Sequence, residues 1–255
     1  MRWLSSRIVE AFSIALLPIV LVACALLRFK FSGLMIFIVA ILCLGMLFAN
    51  WESSKPGLRQ IVPVAVMSAI AAAGRIVFAA IPSVQPVTAI CVIAGASFGR
   101  QEGFIVGALA AFVSNCFLGQ GIWTPWQMYS WGLIGYLAGV LFSNGYAKTC
   151  NNASHSDMGI MQDPLSKKRM EPIRQDIRVC IFGFFAAYIF SFIMNTWTVI
   201  WFSDGLSSAS ILTIYASGFA FDTAHAISTV AFLAILYPSW ERKLSRIKRK
   251  YALGI

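Results

Sequence analysis

Charge is what this sequence has least of. Of its 255 residues only 12% are Asp, Glu, Lys or Arg, while 59% are hydrophobic. A soluble domain carries about a quarter charged residues, so there is too little polar material here to cover a particle facing water. Histidine is nearly missing as well, with only His155 and His225. There is no HExxH metalloprotease motif and no GxxxxGK[ST] phosphate loop. No catalytic set emerges, so the chain does not read as an enzyme, and any ATP hydrolysis that drives it belongs to a partner. The six cysteines are Cys24, Cys43, Cys91, Cys116, Cys150 and Cys180, and none forms a CxxC pair. Most fall inside apolar runs and behave as small hydrophobes. No metal site and no cofactor follow from them. Nor is there an aromatic–basic platform of the kind that binds nucleic acid, so the net charge of +10 needs another cause.

What the sequence does have is long apolar runs, repeated along its whole length. About 20 apolar residues cross a bilayer as a helix, and a backbone in hydrocarbon must satisfy its own hydrogen bonds. The runs are Ala11 to Leu27, Phe31 to Ala49, Ile61 to Ile81 (interrupted by Arg75), Val87 to Phe98, Phe104 to Leu118, Gln127 to Tyr146, Ile177 to Phe202 and Ala209 to Tyr237. They predict an all-α polytopic membrane helix bundle of eight helices embedded in the lipid bilayer. Placing both termini in the cytoplasm puts 17 of the 20 Lys and Arg on the inner side, as the positive-inside rule demands. The excess of positive charge is thus a matter of topology. Three regions are expected: two additional N-terminal transmembrane helices in 1–58, a six-helix core in 59–240 with a polar cytoplasmic loop at 148–178, and a basic cytoplasmic tail in 241–255. Arg2, Arg7, the first apolar run and Leu21-Val22-Ala23-Cys24 also have the pattern of a signal peptide with a lipoprotein-type cleavage site. An ordinary first span is the favoured reading, because a second span follows at once.

Three features stand out against this apolar background. Arg75, Asp222 and His225 lie within spans, where charge is expensive and usually faces a cavity or a partner. Asp222 and His225 are three apart and share a helix face. Arg75 and Asp222 read either as a structural ion pair or as polar contacts to a ligand. Ala65, Ala69 and Ala73 form a row of small residues at intervals of four, which lets another helix approach closely, inside the bundle or from a partner subunit. Finally, Asn115 through Trp131 interleaves rings with uncharged amides and hydroxyls: Asn115, Gln120, Trp123, Thr124, Trp126, Gln127, Tyr129 and Trp131. Interfacial anchoring explains single aromatic residues. Rings beside uncharged donors and acceptors suit a site for a flat small molecule.

Pro82-Ser-Val-Gln-Pro-Val-Thr-Ala-Ile90, Gly107-Ala-Leu-Ala-Ala-Phe-Val-Ser-Asn115 and Gly119-Gln-Gly-Ile-Trp-Thr-Pro-Trp-Gln-Met128 resemble the substrate-binding S components of energy-coupling factor (ECF) vitamin transporters. The resemblance covers roughly residues 60–240, the size of a six-helix S-component core. It implies a subunit that binds a vitamin-like solute from outside, joins a transmembrane coupling subunit and cytoplasmic ATPases, and topples in the membrane to release its cargo. The family's small-xxx-small coupling motif corresponds to Ala65, Ala69 and Ala73. By position its ligand site includes Gln85, Thr88, Asn115, Gln120, Trp123, Gln127 and Asn195. Adding the residues singled out above, the expected substrate-binding set is Gln85, Thr88, Asn115, Gln120, Trp123, Thr124, Gln127, Trp131, Asn195 and Asp222. The GQG-x-WTP pattern looks closest to cobalamin-type S components, which makes cobalamin the first expectation. The two N-terminal spans and the long inner loop depart from the six-span pattern. Two other readings stay open at this point: an ion-coupled secondary transporter, and a membrane enzyme using Asp222 and His225.

Overall fold

The computed structural model describes residues 14–23, 34, 37–42, 45, 58–155, 164–202 and 207–251. Cys24, Arg2 and Arg7, on which the signal-peptide reading turned, lie outside the described residues. Six helices form the body: α1 (Leu58–Val77), α2 (Val87–Phe98), α3 (Arg100–Leu118), α4 (Thr124–His155), α5 (Pro164–Phe202) and α6 (Ser208–Tyr251). Ile14–Ala23 is also helical, as are residues 37–42. Leu17, Leu21 and Val39 from these N-terminal stretches are buried in the same apolar core as the six helices. Among the described residues there is no strand. Arg100–Leu118, Asp176–Phe202 and Ser208–Leu244 are long and apolar enough to cross a membrane, and Ile14–Ala23, Ile61–Val77 and Val87–Phe98 are shorter apolar helices. The chain is a multi-pass membrane helix bundle.

The shortest helix sits at the centre. All 12 residues of α2 are buried, and α1, α3, α4, α5 and α6 all pack against it. At 1.5 Å per residue it spans about 18 Å, well under the roughly 30 Å of hydrocarbon. It has no need to span that depth alone, because it is enclosed by protein and not by lipid. That also explains its largely apolar sequence, in which Thr88 and Ser97 are the polar side chains. α3 and α4 share the most extensive interface, and glycine allows it. A Cβ on Gly135 would stand 2.2 Å from the Gly103 carbonyl oxygen, and one on Gly95 would stand 2.0 Å from the Gly135 carbonyl oxygen. Three backbones therefore cross at a distance that no side chain permits.

Several expected boundaries move. The run expected from Phe104 starts earlier, since α3 begins at Arg100, directly after Gly99, whose φ of 126° is open to glycine and strained for other residues. The polar loop expected at 148–178 is mostly helix, since α4 continues to His155 and α5 begins at Pro164. The basic tail expected from 241 is likewise helical as far as Tyr251. The physical reason is shared. A helix nucleated in a span adds further residues at little cost, and Lys, Arg, Glu, Gln and Met propagate it well. Polarity marked where the apolar run stops and did not mark where the helix stops. α5 and α6, with 39 and 44 residues, are about 59 and 66 Å long, so each extends beyond the hydrocarbon.

Candidate functional site

The turn after α1, the first turns of α4 and the facing stretches of α5 and α6 enclose a cavity of about 240 Å³. Arg75 is its cationic wall. The residue closes the last turn of α1, where the helix dipole favours a positive charge, and it is only 8% exposed. Nη1 donates to Ser114 Oγ at 2.7 Å and to Asn115 Oδ1. Nη2 donates to Gln127 Oε1 at 3.3 Å. The guanidinium carbon lies 4.9 Å from the centre of the Trp131 ring, within cation–π range. Nε is buried and has no partner among the described residues, although a buried donor normally finds one.

Behind Arg75 the amides form a relay. Asn115 Nδ2 donates to Gln127 Oε1 at 2.8 Å and to Thr124 Oγ1 at 2.9 Å. Thr124 Oγ1 also accepts the Gly121 N–H at 3.2 Å, which ties the loop before α4 to the relay. With its oxygen occupied by Arg75 and Asn115, Gln127 lines the cavity with its Nε2 donor engaged by no described residue.

The aromatic wall is Trp131 stacked on Phe190, with centroids 4.5 Å apart and 23° between planes. Trp131 is fixed from behind. Its Nε1 donates to Thr88 Oγ1 at 3.0 Å, and the same oxygen lies 2.8 Å from His225 Nε2. His225 stands edge-on to Phe190 at 5.3 Å. Opposite Arg75 is the acidic wall, where Asp222 Oδ2 accepts from Asn195 Nδ2 at 3.0 Å. Ser83 closes the rim at φ 60°, rare for a residue with a Cβ, and its carbonyl oxygen accepts from Ser228 Oγ at 3.2 Å.

The structure therefore brings Gln85, Gln127, Trp131, Asn195 and Asp222 of the expected set onto one cavity. Thr88, Asn115 and Thr124 stand behind that wall and hold it. Gln120 and Trp123 are not among the cavity's lining residues. Gln120 is exposed and donates to the Phe112 carbonyl oxygen at 3.1 Å, which folds it onto its own helix. Trp123 packs edge-on against Trp197 at 6.3 Å. Arg75 and Asp222 face the same space but form no ion pair among the described residues, so the structural pairing weighed for them is absent. Asp222 and His225 do not act as a couple either, since Asn195 engages one and Thr88 the other. Phe190, Ser191 and Met194 of α5, and Phe221 of α6, complete the lining; none was anticipated. Gly95-Ala-Ser-Phe-Gly99 has GxSxG spacing, yet Ser97 is buried within α2 with its Oγ unpartnered. It does not sit on the exposed strand-to-helix turn that makes such a serine a nucleophile.

On α1, Ala65, Ala69 and Ala73 are all exposed, together with Val62, Val66 and Ile70. The opposite face, with Val64, Met67, Ser68, Ala71 and Ala72, is buried. The small-residue row thus points away from the bundle.

Residues 56–162 match the sequence model of the family described as ECF-type riboflavin transporter, S component. No curated protein and no solved structure matches the chain. The match takes in α1 through α4, including the exposed alanine row and the Arg75, Asn115, Gln127 and Trp131 side of the cavity. Residues 56–162 are accordingly similar to an S component of the energy-coupling factor type.

Proposed function

We propose that this protein is the capture subunit of an ECF-type importer, and that it binds a flat heterocyclic vitamin of the riboflavin kind in the cavity between Arg75 and Asp222. The observation that carries the reading is that cavity. It gathers the Arg75 side chain, the Gln127 amide donor, the Asp222 carboxylate and the stacked Trp131–Phe190 pair around one space. A carbonyl-bearing ring edge would take the Gln127 donor. Hydroxyls would give charge-assisted hydrogen bonds to Asp222. The matched family's riboflavin specificity supports the same choice. At about 240 Å³ the cavity is smaller than most ligand sites, which run roughly 300–1,000 Å³. That size disfavours a corrinoid such as cobalamin, which is several times bulkier than a three-ring heterocycle.

In this reading the cavity faces outward and both termini are cytoplasmic, because that orientation keeps 17 of the 20 Lys and Arg inside. Gln85, Gln127, Trp131, Asn195 and Asp222 contact the ligand, while Thr88, Asn115 and Thr124 position them. The exposed row Ala65, Ala69 and Ala73 docks a transmembrane coupling subunit, since small residues let a partner helix approach closely. Cytoplasmic ATPases carried by that subunit supply the energy. Residues 59–240 form the working core, and the helices within 1–58 are an addition to it.

The test is uptake of labelled riboflavin by cells that lack their own flavin synthesis and transport. Uptake should require this chain together with a coupling subunit and its ATPases. Uptake by the chain alone, abolished by collapsing an ion gradient, would instead establish a secondary transporter. Chemical turnover of a lipid or prenyl substrate would establish an enzyme.

A further inference from the structure

A second cavity, of about 510 Å³, lies away from the site described above, in the groove between α5 and α6. It follows Asp176 to Phe184 on α5 and Val230 to Pro238 on α6, about 12 Å along the helix axes. Both stretches belong to helices long and apolar enough to cross a membrane, so a membrane component is what meets the groove. Leu233 forms its floor. It is buried and seated on Gly183, where an added Cβ would stand 2.1 Å from Leu233 Cδ1. Ile177 and Ile181 stand exposed on the rim. The lining is largely apolar, but one end is not. Asp176 opens the apolar stretch of α5, and its Oδ1 is buried with no partner among the described residues. Pro238 carries no N–H, so the Ala234 carbonyl, which points along α6 toward the same end, lacks its regular helical donor. Glu241 and Arg242 follow one turn later. The charge of Glu241 interacts with those of Asp176 and Arg242, and Arg242 Nε donates to the Pro238 carbonyl oxygen at 3.2 Å. Two carboxylates against one guanidinium leave this end net negative. A hydrocarbon occupant alone would leave both acceptors unsatisfied at a cost. An anionic headgroup would be repelled by the carboxylates, and a choline headgroup has charge but no N–H. An ammonium group supplies both, and its hydrogen bonds to a carboxylate are charge-assisted.

We propose that the α5–α6 groove is a binding site for one aminophospholipid of the ethanolamine type. An acyl chain lies along Cys180 and Leu233, the ammonium group donates to Asp176 Oδ1, and the phosphate sits beside Arg242. The site rests on the membrane location of α5 and α6 and is independent of the flavin reading.

The experiment is native mass spectrometry of the purified full-length chain in mild detergent, titrated with dioleoyl phosphatidylethanolamine, phosphatidylcholine and phosphatidylglycerol. Wild type, Asp176→Asn and Ala234→Trp are compared, with thermal unfolding run alongside. The wild type should hold one phosphatidylethanolamine at least fivefold more tightly than either of the other lipids. Asp176→Asn, of equal size but neutral, should shrink that preference at least threefold. Ala234→Trp fills the groove and should lose the tightly held lipid whatever its headgroup. If Ala234→Trp does not fold, the Asp176→Asn comparison still decides. Equal binding of the three lipids by the wild type would overturn the proposal, as would an unchanged preference in Asp176→Asn or a tightly held lipid in folded Ala234→Trp. A partner helix bearing Lys or Arg is the other chemistry that suits this end. Absence of a lipid preference, with co-purification of a coupling subunit lost in Asp176→Asn, would make the groove a protein interface and overturn the lipid site.

Discussion

Replacing Arg75 with lysine isolates what the guanidinium geometry contributes while keeping the charge. The arginine reaches Ser114, Asn115 and Gln127 at once and lays its plane near Trp131. A lysine ammonium is a single point with three tetrahedral donors. From the end of α1 it can serve one or two of those oxygens. Hydrogen bonds to charged groups contribute about 1.5–3 kcal/mol each. Losing one that fixes the cavity wall therefore predicts a Kd raised by up to roughly ten- to a hundredfold. The loosened Asn115–Gln127 relay adds to this, because Gln127 then points its amide less firmly into the cavity. The assay is quenching of riboflavin fluorescence on titration with purified Arg75→Lys and wild-type protein. Thermal unfolding is run alongside, to show that both remain folded. A folded Arg75→Lys protein that binds riboflavin within about twofold of the wild type would refute the role given to the guanidinium.

Other outcomes follow from the same geometry. Thr88→Val removes the shared partner of Trp131 Nε1 and His225 Nε2, leaving buried polar groups unsatisfied; Tm should fall, reflecting about 1–3 kcal/mol per orphaned group, and riboflavin affinity should fall with it. Ala69→Phe puts a large ring on the exposed face of α1, so riboflavin binding by the isolated chain should persist while co-purification with a coupling subunit and coupled uptake are lost. Gly135→Val drives a side chain into the Gly103 backbone; overpacking costs about 1–3 kcal/mol or more, and little folded protein should be recovered, whereas Gly45→Ala, whose added Cβ meets none of the described residues within 4 Å, should be recovered at normal yield.

The spans were legible in the sequence because hydrocarbon demands length and apolarity, and both can be counted. α2 coincided with its apolar run from Val87 to Phe98, since Pro86 and Gly99 bound it. α4, α5 and α6 overran their apolar runs because helix propagation tolerates polar residues that a bilayer does not. The site was half legible. Amides, hydroxyls and charges stand out in an apolar sequence, so Gln127, Asn195 and Asp222 could be singled out one by one. Which of them converge depends on how each helix is rotated, and rotation is set by packing. That is why Gln120, one turn past Cys116 at the end of α3, folds back on Phe112 and misses the cavity, while Thr88 and Asn115 hold it from behind. Phe190, Ser191 and Met194 left no signal, because an apolar face toward a ligand and one toward lipid read alike. The exposed Ala65 row shows the converse: its spacing was visible, and only the structure reveals that it faces outward.

The central claim is that this cavity holds a flat vitamin. The most direct measurement is calorimetric titration of the full-length purified protein with riboflavin. One equivalent should bind saturably, and Trp131→Ala, which deletes the stacking wall, should weaken the binding by at least tenfold. A flat titration with the wild type would contradict the account, as would unchanged binding in a folded Trp131→Ala protein.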